Sequence, residues 1–294
     1  MFEGFEDVDV EVAGVRIHAR VGGSGPAVLL LHGYPQTHVM WHRVAPGLAE
    51  AHTVVAADLR GYGDSDRPPS DAEHRTYSKR ATATDQSELM ARLGHERYAV
   101  VGHDRGARVA HRLVLDHPEQ VTHLAVLDIV PTRHVFAEVD KVLALSYDHW
   151  FFLAQENDLP EVLIGGAPEH WLRTKLRQWS GADARFDDEA VADYLRCFDR
   201  ESIHASTEDY RAGATVDLAD DEATWEAGAR VGCPTLVLWG AEGLVGARYD
   251  PLDVWRRYAA RDDLVDGQSV PGGHFLPEES PEETAALLTA FLAG

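Results

Sequence analysis

Lysine is scarce in this chain. Lys79, Lys141 and Lys175 are the only lysines among 27 basic residues, which face 49 Asp plus Glu for a formal charge of −22. So acidic a balance excludes nucleic acid and anionic membrane surfaces as partners, because both are held by clustered Lys and Arg. Cysteine is nearly absent too, and Cys197 and Cys233 form neither a metal-type spacing nor a disulfide framework. Apolar runs such as Ala27–Leu31 fall far short of the ~18 residues that a membrane span needs. The first residues, Met1 to Asp9, are acidic and lack the basic-then-apolar order of a signal peptide, so a cytoplasmic location is expected.

What is present is ordinary soluble protein: 294 residues, 45% hydrophobic and 26% charged. The length allows one large domain or two ordinary ones, enough for a proper core. Short apolar runs alternate with longer amphipathic stretches, which predicts an α/β fold with a mostly parallel sheet. The expected buried strands are Ala27–Leu31, Thr53–Ala57, Tyr98–Val101, Leu124–Ile129, Thr235–Trp239 and a weaker Leu264–Val270. Val8–Val12 and Val15–Val21, around Gly14, read as an antiparallel hairpin at the sheet edge, and helices are expected over Thr82–Leu93, Arg105–Asp116 and Pro281–Leu292. From about Thr132 to Ala219 the strand rhythm stops and aromatic residues recur at helical spacing. That stretch, 132–219, predicts a helical cap over the carboxyl edge of a core formed by 1–131 and 220–294, where open α/β sheets bind ligands.

The strongest chemical signal is Gly102-His103-Asp104-Arg105-Gly106, between an expected strand and an expected helix. It has the form of a nucleophile elbow, a strained strand-to-helix turn that needs small flanking residues. The elbow holds aspartate where an esterase would hold serine. A carboxylate is already ionised at neutral pH and suits displacement at a saturated carbon. Three other motifs sit at strand ends: His32-Gly33-Tyr34-Pro35, Asp58-Leu59-Arg60-Gly61-Tyr62-Gly63-Asp64-Ser65 and Gly272-Gly273-His274-Phe275. Four motifs in this order resemble the α/β-hydrolase fold along the whole chain. Its pattern is an α/β-hydrolase core with a mostly parallel sheet and a helical cap insertion.

Of 16 histidines, His274 stands apart as the expected general base, in a glycine-rich turn after the last strand. The base needs an acid to orient it. Asp128 ends the expected strand Leu124–Ile129 and Glu242 follows Thr235–Trp239; the loop after the second strand offers no aspartate, and Asp128 is preferred. Arg105 and Arg108 lie three apart on one helix face beside Asp104. They either pair with surface carboxylates or form a fork for a substrate carboxylate.

The run Gly102–Arg108, with Asp128 and His274, is similar to the fluoroacetate (haloacetate) dehalogenases. Pro35–Trp41, His149-Trp150, Asp209–Gly213 and Gly273–Pro277 extend the similarity to the full length, cap included. This resemblance implies Asp104 as nucleophile, Asp128 and His274 as the acid–base pair, and Arg105 and Arg108 as carboxylate ligands. It implies that His149, Trp150 and Tyr210 donate to the departing halide, with the backbone N–H groups of Tyr34 and Arg105 as oxyanion hole. A small haloacid substrate, no metal or cofactor and a homodimer are implied with it. Epoxide hydrolase is the runner-up; a non-catalytic ligand receptor is the reading from another class. Against the first stands Arg105, where haloalkane dehalogenases and epoxide hydrolases commonly place Trp; against the second stands a complete Asp104, Asp128 and His274 set.

Overall fold

The runs of Val, Leu and Ala form strands in the computed structural model, which describes residues 1–294. These are β1 (Glu6–Val12), β2 (Val15–Gly23), β3 (Ala27–Leu31), β4 (Thr53–Ala57), β5 (Tyr98–His103), β6 (Val121–Leu127), β7 (Thr235–Gly240) and β8 (Val265–Val270). They make one sheet in the order β1-β2-β4-β3-β5-β6-β7-β8. β1 pairs antiparallel with β2, and β2 with β4, so the hairpin lies at the edge. From β4 onward every pairing is parallel. β3, with every residue buried, runs between β4 and β5, as expected of a parallel strand covered on both faces. The strand order reverses there, because the chain leaves β3 for one neighbour and returns to the other. Such a switch point opens a crevice at the carboxyl ends.

Helices Lys79–Arg92, Asp104–Asp116, Pro251–Tyr258 and Pro281–Leu292 pack on the sheet or link its strands. The first begins earlier than its apolar pattern because Ser78 caps it, its hydroxyl accepting the Ala81 N–H at 3.2 Å. β6 ends at Leu127, not Ile129, because Asp128 turns out of the ladder with φ +53°. Between β6 and β7 the chain is helical, from Thr132 to Glu226, with no strand. Residue 219, the expected end of that stretch, falls inside the helix Val216–Glu226. Alternation of polarity is continuous there, so nothing local marks a boundary. No helix of the chain is long and apolar enough to cross a membrane.

Candidate active site

The register brings three strand ends level. Leu31 pairs with Gly102, and His103 with Leu127, so the residues just beyond β3, β5 and β6 emerge side by side. Asp104 follows β5 with φ +46° and opens the helix Asp104–Asp116. Such a left-handed conformation is strained for most residues but tolerated by Asp. The glycines two residues to either side allow no side chain. A Cβ on Gly106 would lie 2.3 Å from the His32 carbonyl oxygen, and one on Gly102 would lie 2.5 Å from Ala107 Cα.

Asp104 is 6% exposed. Its Oδ1 accepts the Tyr34 N–H at 2.9 Å, while Oδ2 lies 3.8 Å from His274 Nε2. On the far side of the ring, His274 Nδ1 meets Asp128 Oδ2 at 2.6 Å. Asp128 Oδ1 accepts the Gly240 N–H at 3.0 Å, which fixes its carboxylate. Glu242, the other expected acid, instead accepts the Ala182 N–H at 3.1 Å. Burial pulls the His274 imidazole down, but the Asp128 bond and charge, aided by Asp104, more than offset it and leave its pKa above the ordinary value. Burial raises the Asp104 carboxyl, yet the facing His274, Arg105 and Arg108 hold it far below the usual carboxylate range. His103 is driven the other way, to about 3, chiefly by burial. Its Nε2 donates to the His274 carbonyl at 2.8 Å, so this histidine supports the turn that carries His274.

Arg105 and Arg108 do not pair with surface carboxylates. They are 1% and 4% exposed. Arg105 Nε donates to Asp209 Oδ2 at 2.7 Å and its Nη2 to the Asp209 carbonyl at 2.7 Å. Asp209 also accepts from Tyr62 Oη at 3.0 Å and from Lys79 Nζ. Arg108 meets no carboxylate at ion-pairing distance: its Nη1 donates to the Val130 carbonyl and Thr132 Oγ1, at 3.0 and 3.1 Å, and its Nε has no protein partner. Both guanidinium groups lie against Trp150, at 4.4 Å for Arg108 and 5.8 Å for Arg105. Burial and the charge of Arg105 lower the Arg108 pKa.

The helix Asp148–Leu153 brings His149 and Trp150 to this cluster, and Arg200–Ala214 brings Tyr210. The Tyr210 ring is 5.6 Å from that of His149 and 6.4 Å from that of Trp150. His149 Nδ1 and Tyr210 Oη are buried without a protein partner. Burial drives the His149 imidazole well below its ordinary value, so it is neutral. A cavity of about 620 Å³ opens in front of Asp104, Asp128 and His274, walled by Tyr147, His149, Trp150 and Trp179 among others. Arg105, Arg108 and Tyr210 are not part of that wall.

Three residues at the site make contacts that the sequence did not reveal. Asp209 fixes Arg105, Tyr147 stacks on Trp150 at 5.5 Å, and Trp179 packs on His149 at 4.4 Å. Asp209 left a faint signal, an acidic residue next to Tyr210 amid a helix; its partners are 104 and 130 residues away in the chain.

The α/β hydrolase fold family profile matches residues 26–281. A fluoroacetate dehalogenase from Burkholderia sp. is 48% identical over 100% of this chain and 95% of its own length. A soluble epoxide hydrolase from Corynebacterium sp. (strain C12) is 33% identical over 92% of this chain and 91% of its own. A crystal structure of an α/β hydrolase from Nostoc sp. PCC 7120 superposes with a TM-score of 0.96 at 53% identity, covering 99% of both chains.

Proposed function

The chain belongs to the α/β-hydrolase family, and within it we propose a haloacetate dehalogenase that cleaves a carbon–halogen bond through an aspartyl ester. The observation that carries this is Arg108: a buried cation beside the nucleophile, with no carboxylate of its own. An unpaired buried charge is costly, on the order of 3–5 kcal/mol. A substrate carboxylate would supply the missing partner, whereas a neutral epoxide or haloalkane would not.

The substrate carboxylate docks on Arg105 and Arg108, with Asp209 holding the first of these in place. Its α-carbon then faces Asp104 Oδ2, since Oδ1 is engaged by the Tyr34 N–H. Attack forms the ester and expels halide toward the N–H groups of His149 and Trp150 and the hydroxyl of Tyr210. Fluoride leaves poorly, so donors aimed at its developing charge matter most. The orphaned polar atoms of His149 and Tyr210 support this role. His274, oriented by Asp128, takes a proton from water as it adds to the ester carbonyl. The oxyanion gathers on Oδ1 at the Tyr34 N–H, with the Arg105 N–H as second donor. On collapse the glycolate oxygen leaves with the proton from His274, and Asp104 is restored once it gives its remaining proton to solvent. Esterification removes the Asp104 charge that helps keep His274 protonated, so the base is freer to act at the step that needs it. These side chains suffice for the chemistry without a metal or organic cofactor.

The helical stretch between β6 and β7 is proposed as a cap on residues 132–219, extending to the helix end at 226. A homodimer in the cytoplasm completes the reading; sedimentation at working concentration tests the assembly. The decisive assay compares halide release from fluoroacetate and chloroacetate with turnover of a neutral epoxide. Halide from the haloacetates is expected, and none from either would sink the proposal. A single turnover in ¹⁸O water then places the label in Asp104 if the ester route operates.

A further inference from the structure

His274 is carried by a turn rich in glycine, which has little stiffness of its own. Its backbone is nevertheless held at every point. The His274 N–H donates to the Trp179 carbonyl at 2.8 Å, and the His274 carbonyl accepts from His103 at 2.8 Å. The amides on either side are both taken by one carboxylate. Glu279 Oε2 accepts the Gly273 N–H at 2.9 Å, and Oε1 accepts the Phe275 N–H at 2.8 Å. The same Oε2 accepts the Gly181 N–H at 2.8 Å, from the segment that follows the helix Pro168–Trp179. Contact between the two segments is intimate: a Cβ on Gly273 would lie 2.5 Å from both the Gly181 nitrogen and the Trp179 oxygen. Trp179 in turn packs on His149 at 4.4 Å and faces His274 at 5.8 Å.

We propose that Glu279 is a positioning residue that sets the His274 imidazole for ester hydrolysis and locks its turn to the Trp179–Gly181 segment. This rests on the dehalogenase reading above. Three backbone N–H bonds to one carboxylate are strong and directional. They bracket His274 on both sides, so loss of the carboxylate frees the ring to swing while Asp104 keeps its place. Asp104 depends on the elbow and on Tyr34, none of which Glu279 touches. The two half-reactions therefore respond differently. Attack by Asp104 needs no base; hydrolysis of its ester does.

The test is rapid-quench turnover of chloroacetate by wild type, Glu279→Ala and Glu279→Gln, following halide release in the first turnover and decay of the ester. Glu279→Ala is expected to release its first halide within about threefold of wild type and to hydrolyse the ester about 30-fold more slowly. That lies inside the ~100-fold a 1 Å misplacement can cost. Glu279→Gln, which retains one acceptor oxygen, is expected between the two and carries the test if the alanine variant does not fold. Equal slowing of both steps, or of neither, overturns the proposal. A second readout needs no turnover: the proton NMR signal of the His274 Nδ1–H held by Asp128. It is expected to broaden or move upfield in Glu279→Ala with the fold intact, and an unchanged signal overturns the proposal. Wild type that releases no halide would instead refute the dehalogenase reading, and the NMR comparison would still decide the role of Glu279.

Discussion

The proposed mechanism divides its labour between two residues whose ionisation is pushed in opposite senses. Asp104 is held ionised far below the usual range, and His274 is raised above its ordinary value of about 6.5. In the ester the pKa of His274 is lower than in the free enzyme, because the Asp104 charge is gone. As pH falls through that pKa, the base of the second step is lost while Asp104 of the free enzyme stays charged. kcat for chloroacetate is therefore expected to fall on the acid side while kcat/KM, set by the first irreversible attack, holds; a stopped reaction at that pH should contain the aspartyl ester. Parallel loss of both constants would remove His274 from a role confined to the second step. His274→Asn is expected to release one equivalent of halide per site and stop, with the ester trapped and seen as added mass. Arg108→Gln should lower kcat/KM for chloroacetate by tenfold to a hundredfold, the roughly 1.5–3 kcal/mol of a hydrogen bond to a charged group. Neutral chloroacetamide should be little affected, and an equal loss for both substrates would argue against a carboxylate on Arg108.

Among the elements, the elbow is tightly constrained. Its geometry comes from the close approach of the helix Asp104–Asp116 to the end of β3, where Gly106 touches the Leu31 and His32 carbonyls. Gly106→Ala is expected to cost about 3 kcal/mol or more in urea unfolding, since only backbone could yield. A wild-type midpoint would show that the elbow has room after all. The strand runs from Ala27 to Leu31 and Thr53 to Ala57 were legible residue for residue because all-apolar β-branched and leucine-rich segments bounded by turns have one way to be buried. The ends of β5 and β6 were less legible. Asp104 and Asp128 leave the sheet through positive φ, a conformation that Asp tolerates but that only their surroundings impose. The Asp58 motif was legible as a turn, and the structure supplies its cause: the Asp58 carboxylate accepts the His38 N–H at 2.7 Å and the Asp64 N–H at 2.9 Å.

For the molecule as a whole, a charge of −22 opposes the approach of any anion. Yet the buried pair at Arg105 and Arg108 sets the local potential where the substrate would dock. Raising ionic strength shortens the screening length from about 30 Å at 0.01 M to about 8 Å at 0.15 M, which weakens the surface field and leaves a buried site nearly untouched. kcat/KM for chloroacetate is expected to rise over that range, with sulfate as the added salt to avoid halide competition. A fall would place the steering charges at the pocket mouth instead.

The sequence alone determined the α/β fold, the places of most strands along the chain and the four motifs at their ends, because hydrophobic period and turn chemistry are local properties. It also pointed to Asp104 as the candidate nucleophile, with Arg105 and Arg108 beside it. It preferred Asp128 to Glu242 as the partner of His274 without fixing the choice, and it left open whether the arginines face the surface or the interior. Those were decided by tertiary structure, since each depends on groups far apart in the chain. Asp128 reaches His274 across 146 residues, and Asp209 claims Arg105 across 104, leaving Arg108 as the buried cation without a carboxylate.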